Sequence, residues 1–168
     1  KALREELQKK QELMIAKISK KKLPLTPEEY GKYYKICDSL PFAFTDIEMV
    51  FNEEKKAVDW IFRYGNEALA TLEKLPLDKM IGNSFSSLFS NMDAKWLHVY
   101  ERATLYGETL EIMDYSPEID TNLKIICFPT FPGHCGCILF NADKMKSISE
   151  ENHLVRLAAV ALKSNPTI

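Results

Sequence analysis

The chain has 168 residues, of which 46% are hydrophobic and 27% are charged, with a formal net charge of −2. This composition is typical of a folded globular protein and excludes an intrinsically disordered chain. The near-zero charge excludes a broad basic surface for nucleic acid or acidic lipid, and no apolar run is long enough to span a membrane. Four cysteines in apolar surroundings indicate free thiols, so we expect a cytoplasmic domain.

The first 22 residues predict a helix. Its apolar positions recur close to the helical period among Lys, Glu and Gln residues, at Leu3, Leu7, Met14 and Ile18. This narrow stripe fits either a solvated helix that docks on its own domain or a short coiled coil with a second copy. The sequence begins without an initiator Met, so we expect a segment of a longer protein, and a membrane anchor would lie outside these residues.

A second helix is predicted to begin after Thr26, an N-cap residue followed by Pro27 and, three residues after the cap, by Glu29. Its apolar face carries four side chains at helical spacing, namely Tyr30, Tyr33, Tyr34 and Cys37. The pattern predicts a helix that covers part of the core and ends before Pro41.

Five strands are predicted after this point, in two groups. Residues 42–52 and 57–64 form a hairpin around a polar turn, and Trp60, Phe62 and Tyr64 alternate with polar residues. Helices are predicted over residues 66–74, 84–89 and 93–106, with Asn66 and Asp93 as N-caps and a glycine at position 107 as the stop. The remaining strands cover residues 109–116, 123–131 and 134–141, and a final helix covers residues 148–163.

The segment from Asp59 to Phe89 resembles the PAS domains. It holds an aromatic strand, a helix that starts with Asn66, and the pair Ile81-Gly82 before a small helical turn. The order of elements over roughly residues 37–146 is also that of a PAS domain. The resemblance implies an α+β fold, in which a PAS-like five-stranded antiparallel sheet has helices on one face and is flanked by N- and C-terminal helices.

Three regions follow from this resemblance. Residues 1–36 form an N-terminal helical extension, residues 37–146 the PAS-like sensor domain, and residues 147–168 a C-terminal linker helix that leads toward an output domain. Residues 141–143 read Asn-Ala-Asp, where the family often has Asp-Ile-Thr, so the junction with the outgoing helix departs from the family pattern.

A PAS-like core usually encloses a pocket between its helices and the concave face of its sheet. We expect the pocket to be lined by Trp60, Phe62, Phe85, Leu88, Trp96, Tyr100, Ile125 and Cys127. The helical period places Trp96 and Tyr100 on one inward stripe. These side chains either enclose an unidentified small molecule or fill the space themselves.

Haem and flavin are not expected as cofactors. Some PAS domains bind haem through a His on the long helix, but His98 lies about 200° around the helix from Trp96, on a polar face. The flavin-binding relatives that respond to light use a Cys near the middle helices, whereas residues 83–87 read Asn-Ser-Phe-Ser-Ser.

A metal site and a catalytic site are not expected either. Cys127, Cys135 and Cys137 could face one another across two strands, but Cys-x-Cys spacing and apolar neighbours favour core thiols over a zinc site. His153 lacks the surrounding pattern of a phosphoacceptor helix. The sequence holds no catalytic triad, phosphate-binding loop or paired carboxylate motif, so we expect a non-catalytic domain.

The resemblance therefore implies a sensory domain of a bacterial signalling protein, which binds a small molecule or relays a conformational signal to an attached output domain. That output domain would be a histidine kinase of a two-component system, a diguanylate cyclase or a transcription regulator. The alternative is a ligand-free protein–protein interaction module that mediates dimerisation. Under either hypothesis we expect a homodimer, formed through the 1–22 helix and the outer face of the sheet, and no nucleic-acid partner.

Overall fold

The computed structural model describes residues 2–9, 23–90, 92–144, 155–160 and 162. Residues 2–9, 155–160 and 162 are helical. The rest of the helices expected over residues 1–22 and 148–163 lies outside the described residues, as does His153.

All five expected strands form one antiparallel sheet. The strands are β1 (Ala43–Phe51), β2 (Ala57–Gly65), β3 (Leu110–Ser116), β4 (Thr121–Pro129) and β5 (His134–Asn141). Their order in the sheet is β2-β1-β5-β4-β3, so the last strand lies beside the first. The chain therefore closes the centre of the sheet by pairing its two most distant strands.

The described residues between 23 and 144 form five α-helices: α1 (Pro27–Tyr33), α2 (Glu67–Glu73), α3 (Leu77–Met80), α4 (Phe85–Leu88) and α5 (Ala94–Tyr106). Short 3₁₀ helices cover Lys35–Cys37 and Ala142–Lys144. The second predicted helix is thus an α-helix of two turns followed by a 3₁₀ turn. Helices α2 to α5 connect β2 to β3 and pack on one face of the sheet.

The helix ends follow the local sequence rules. Thr26 and Glu29 form the reciprocal capping box, because each side chain accepts a hydrogen bond from the backbone amide of the other, at 3.2 and 3.0 Å. Asp93 caps α5 through the amide of Lys95 at 3.0 Å. Gly107 ends the same helix in the left-handed conformation with φ of 65°, which glycine adopts without steric cost.

Strands β1, β4 and β5 are buried on both faces over most of their length, whereas the edge strand β3 is largely exposed. The inner face of the sheet packs under α2 to α5, while its outer face is covered by α1, whose Tyr30 joins Tyr34, Phe44, Phe131 and Ala158 in a second apolar cluster. The helical segment 155–160 reaches this outer cluster through Ala158, which is 1% exposed. Helix α1 and the helical segment 155–160 therefore meet the same outer face of the sheet.

Asn66 joins three parts of this fold. Its side-chain oxygen accepts hydrogen bonds from the amides of Leu69 at 3.0 Å and Phe44 at 3.1 Å. Its side-chain amide donates to the carbonyls of Cys37 and Phe42, both at 3.0 Å. All the hydrogen bonds that a buried Asn side chain can make with two donors and two acceptor sites are thus formed. The residue that signals the helix start in the sequence also ties α2 to β1 and to the 3₁₀ turn.

Candidate functional site

A small cavity lies in the inner core, between the sheet and helices α2, α4 and α5. Its volume is about 20 Å³, which is room for about one or two water molecules. Six of the residues that the sequence suggested for a pocket line it: Trp60, Phe62, Phe85, Trp96, Tyr100 and Ile125. Leu88 packs against the same core, and Cys127 is fully buried within it, but neither lines the cavity.

Sequence reasoning did not include seven further lining residues. They are Thr45, Ile47, Glu73, Glu118, Leu123, Cys137 and Leu139. The five that are not acidic lie on the inner face of β1, β4 and β5, and the alternation of side chains along each strand specifies that face. The two glutamates are different, because they bring carboxyl groups into an apolar core.

The aromatic wall of the cavity packs against itself. The ring centroids of Trp60 and Phe85 are 4.3 Å apart, and those of Trp60 and Tyr100 are 5.0 Å apart with the planes at 90°. Edge-to-face contacts of this kind are favourable beyond the area they bury. The rings therefore occupy most of the space between helices and sheet, which explains the small volume.

The polar wall consists of Glu73, Glu118 and the indole of Trp96. Glu73, the last residue of α2, is 7% exposed, and burial together with the nearby Glu118 carboxyl raises its pKa to about 8. Glu73 Oε2, Glu118 Oε2 and Trp96 Nε1 are buried and have no hydrogen-bond partner among the described residues. The cavity thus holds two carboxyl oxygen atoms and one indole N–H group that nothing in the described fold satisfies.

A signal for Glu73 was present in the sequence. Glu73 follows Leu69 by four residues, and the two are the buried residues of α2, so they share one helical face. Glu118 had no such signal, because it lies in the turn between β3 and β4, where periodicity does not apply. Its other carboxylate oxygen accepts a hydrogen bond from Ser116 Oγ, which holds the side chain in place.

The cysteines are core thiols in the structure. Cys127 pairs with Cys137 across β4 and β5, and all four cysteines are buried and free. Burial raises the pKa of Cys127 to about 12 and that of Cys137 well above its ordinary value. Among the described residues no group of three or more His, Cys, Asp or Glu side chains is arranged to hold a metal ion. His98 is exposed on α5.

A second buried polar group lies beneath α1, on the outer face of the sheet, and sequence reasoning missed it. Asp46 of β1 is 0% exposed, lies 2.7 Å from Nδ1 of His134 on β5, and accepts a hydrogen bond from the hydroxyl of Tyr34. Burial, followed by the nearby Asp46, raises the pKa of Tyr34 well above its ordinary value. The group fastens the end of α1 to the two central strands.

No protein-family model matches the chain, and no curated protein matches it either. The solved structures that are similar to it over most of its length include the following two. One is an RNA-binding light-oxygen-voltage receptor, with 15% identity, a TM-score of 0.41, and coverage of 82% of this chain and 39% of that one. The other is the PAS domain of BvgS from Bordetella pertussis, with 9% identity, a TM-score of 0.38, and coverage of 80% and 98%.

The architecture itself defines the class. A five-stranded antiparallel sheet in the order β2-β1-β5-β4-β3, with short helices and one long helix between β2 and β3, is a PAS-like fold. The fold class that the sequence resemblance predicted is confirmed. Within the described residues, no helix is both long and apolar enough to cross a bilayer.

Proposed function

We propose that this chain is a sensory domain of a signalling protein, and that an occupant of the inner cavity is the signal. The unpartnered polar atoms of Glu73 and Trp96 carry this proposal. A buried donor or acceptor without a partner costs about 1–3 kcal/mol, so cores normally avoid such groups or pair them. An occupant that pairs these atoms would stabilise the domain, and this would make its stability depend on the occupant.

Helix α2 connects the cavity physically to the region that follows α1. Its last residue, Glu73, lines the cavity, and its N-cap residue, Asn66, holds the carbonyl of Cys37 just after α1. A shift of α2 on ligand binding would therefore change the packing beside α1 and the outer cluster, which also contains Ala158 of the C-terminal helical segment. The mechanism is a population shift between two packings of the sheet and its flanking helices.

The attached output domain would be a histidine kinase, a diguanylate cyclase or a transcription regulator of a bacterial cytoplasmic pathway. Any catalytic activity would belong to that domain. A homodimer would let both copies report to one output, with contacts through the flanking helices.

Native mass spectrometry of the purified chain tests the sensory proposal. We expect a bound small molecule, seen as added mass that disappears on denaturation, and a higher melting temperature for the loaded form. Hydrogen exchange of residues 155–160 should also slow when the cavity is occupied. An empty domain that no small molecule stabilises in a thermal-shift screen would contradict the proposal.

The second candidate is the interaction module, and the small cavity volume of about 20 Å³ favours it. Exposed apolar side chains on the flanking segments support it as well, because Leu3 is 69% and Leu157 47% exposed. Light scattering after size-exclusion chromatography separates the two. A tight dimer of the ligand-free chain, dissociated by Leu157→Glu but unaffected by changes in the cavity, would favour the interaction module.

A further inference from the structure

We propose that the inner cavity binds a small protonated amine that also carries a hydrogen-bond acceptor, a compact amino alcohol in chemical class. This inference rests on the proposed function, since it names the kind of molecule that the sensory cavity takes. It follows from the charge, the unpartnered atoms and the rings that surround the cavity.

The charge of the lining favours a cation. Two carboxyl groups, those of Glu73 and Glu118, line the cavity, and its lining includes no Lys, Arg or His. The neighbouring Lys74 directs its ammonium group to the carbonyl of Ile119, at 3.4 Å. An anionic occupant would meet like charge on the cavity wall, whereas an ammonium group would meet opposite charge in a water-poor site.

The unpartnered atoms specify the remaining chemistry. The carboxylate oxygens of Glu73 and Glu118 accept hydrogen bonds, and Nε1 of Trp96 donates one. An ammonium group supplies donors for the carboxylates, and a hydroxyl oxygen on the same molecule accepts from the indole. Thr45 does not compete, because its hydroxyl already donates to the carbonyl of Tyr64 at 2.7 Å.

The rings around the cavity are compatible with the same class of ligand. Faces and edges of Trp60, Phe85 and Tyr100 line the space, and aromatic faces attract cations. The volume of about 20 Å³ has room for about one or two heavy atoms, so it takes the ammonium nitrogen, and the lining side chains must move apart to admit the rest of the molecule. A compact ammonium head group fits this description better than a ring-shaped cofactor does.

A bound ammonium group would also offset the cost of burying two carboxyl groups in one small cavity. The other titratable groups that line the cavity with Glu73 are Glu118 from the β3–β4 turn, Tyr100 from α5 and Cys137 from β5. Burial raises the pKa of Tyr100 and of Cys137 well above their ordinary values, so both stay neutral near pH 7. With the pKa of Glu73 at about 8, the empty cavity holds a protonated Glu73, and a bound cation displaces that proton.

Three probes with the same number of heavy atoms separate the contributions of the ammonium group and the hydroxyl group. They are 2-aminoethanol, which carries both groups, propan-1-amine, which lacks the hydroxyl group, and propan-1-ol, which lacks the ammonium group. Their binding is measured in phosphate buffer by calorimetry and by the indole N–H signal of Trp96, which the variant Trp96→Phe distinguishes from that of Trp60. We expect millimolar binding of 2-aminoethanol, with each of the other two probes about tenfold weaker. Below pH 8, the affinity of 2-aminoethanol should increase about tenfold for each unit by which the pH is raised, because one proton leaves for each molecule bound.

Variants assign the contacts. Glu73→Gln should weaken both amines and remove the pH dependence, and Trp96→Phe should remove the preference of 2-aminoethanol over propan-1-amine. Glu67→Gln, an exposed change on the same helix, is the matched control and should alter nothing. If Glu73→Gln fails to fold, Glu118→Gln replaces it and should weaken both amines.

The outcomes separate this inference from the sensory proposal. Equal binding of propan-1-ol and 2-aminoethanol, or amine binding that does not change with pH, would overturn the amine assignment while a ligand cavity remains. Binding of no probe would also overturn the assignment, and the sensory proposal would then stand or fall with the native mass spectrum.

Discussion

Replacement of Asn66 by Ala removes four hydrogen bonds from one buried side chain. Two of the four partners keep another bond, because the amide of Leu69 also donates to the carbonyl of Asn66 and the carbonyl of Cys37 also accepts from the amide of Leu40. The amide of Phe44 and the carbonyl of Phe42 lose the side-chain bonds that pair them with Asn66.

The expected cost of Asn66→Ala is about 3–7 kcal/mol, from about 1–3 kcal/mol for each of the two buried groups left unpaired plus about 1 kcal/mol for the lost helix cap. This is a large share of the total stability of a domain, about 5–15 kcal/mol, and should lower the melting temperature by about 10 °C. Asn66→Asp should be destabilising as well, because an acceptor then faces the carbonyls of Cys37 and Phe42.

Urea unfolding, followed by tryptophan fluorescence, measures these changes. The matched control is Asn83→Ala, which removes one exposed bond, from the Asn83 side-chain amide to the carbonyl of Lys79 at 2.8 Å, and should cost under about 1 kcal/mol. The midpoint should fall for Asn66→Ala while the slope stays unchanged. A cost for Asn66→Ala within about 1 kcal/mol of the control would refute the role of Asn66 as the junction of α2, β1 and the 3₁₀ turn.

Three further changes test other parts of the structure. The pKa of Glu73 in the folded protein, about 8, is above the ordinary value of 4.5 for a glutamate, so the stability that the protonated group contributes is full below pH 4.5 and is lost as the pH rises to about 8. The free energy of unfolding should therefore be about 3 kcal/mol lower at pH 8 than at pH 5, and Glu73→Gln should abolish this difference. The same dependence of the unfolding free energy on pH in both proteins would contradict the burial of this carboxyl group. Asp46→Ala should lower the free energy of unfolding in urea by about 3–5 kcal/mol, because it leaves the buried side chains of Tyr34 and His134 without this partner. A cost under about 1 kcal/mol would show that this polar group does not hold α1 against the sheet. Gly136→Ala should destabilise by about 1–3 kcal/mol, since the new Cβ would lie 2.9 Å from a ring carbon of a neighbouring strand, whereas Gly31→Ala, with nothing within 4 Å in helix α1, should stabilise by about 0.5–1 kcal/mol. Thermal unfolding of both variants checks this pair, and equal effects of the two changes would contradict the close packing at Gly136.

Most of the fold could be read from local signals. Period-2 alternation in β2, the capping box at Thr26, the N-cap at Asn66 and the glycine stop after α5 are each determined within a few residues, and each is present in the structure. The order of these elements then restricted the architecture, because few arrangements bury five strands and a run of short helices together.

The polar interior could not be read in the same way. Asp46 meets His134 across 88 residues of sequence, and Glu118 reaches the cavity from a turn, so neither has a local pattern that marks it as buried. The contact between Asp46 and His134 is fixed by strand pairing at long range, by the register that sets Glu48 against His134. The aromatic lining was accessible to sequence reasoning because helical and strand periods determine it, whereas the carboxyl groups depend on tertiary contacts.

The carboxyl carbon of Glu73 provides the most direct measurement. A ¹³C NMR titration of the ligand-free domain should give a pKa of about 8 for this group, and saturation with 2-aminoethanol should lower that pKa as the ammonium stabilises the carboxylate. Glu67, exposed on the same helix, is the internal reference. A Glu73 whose pKa lies near the ordinary value of a glutamate, or does not change with any occupant, would contradict a cavity whose buried polar wall recognises a ligand.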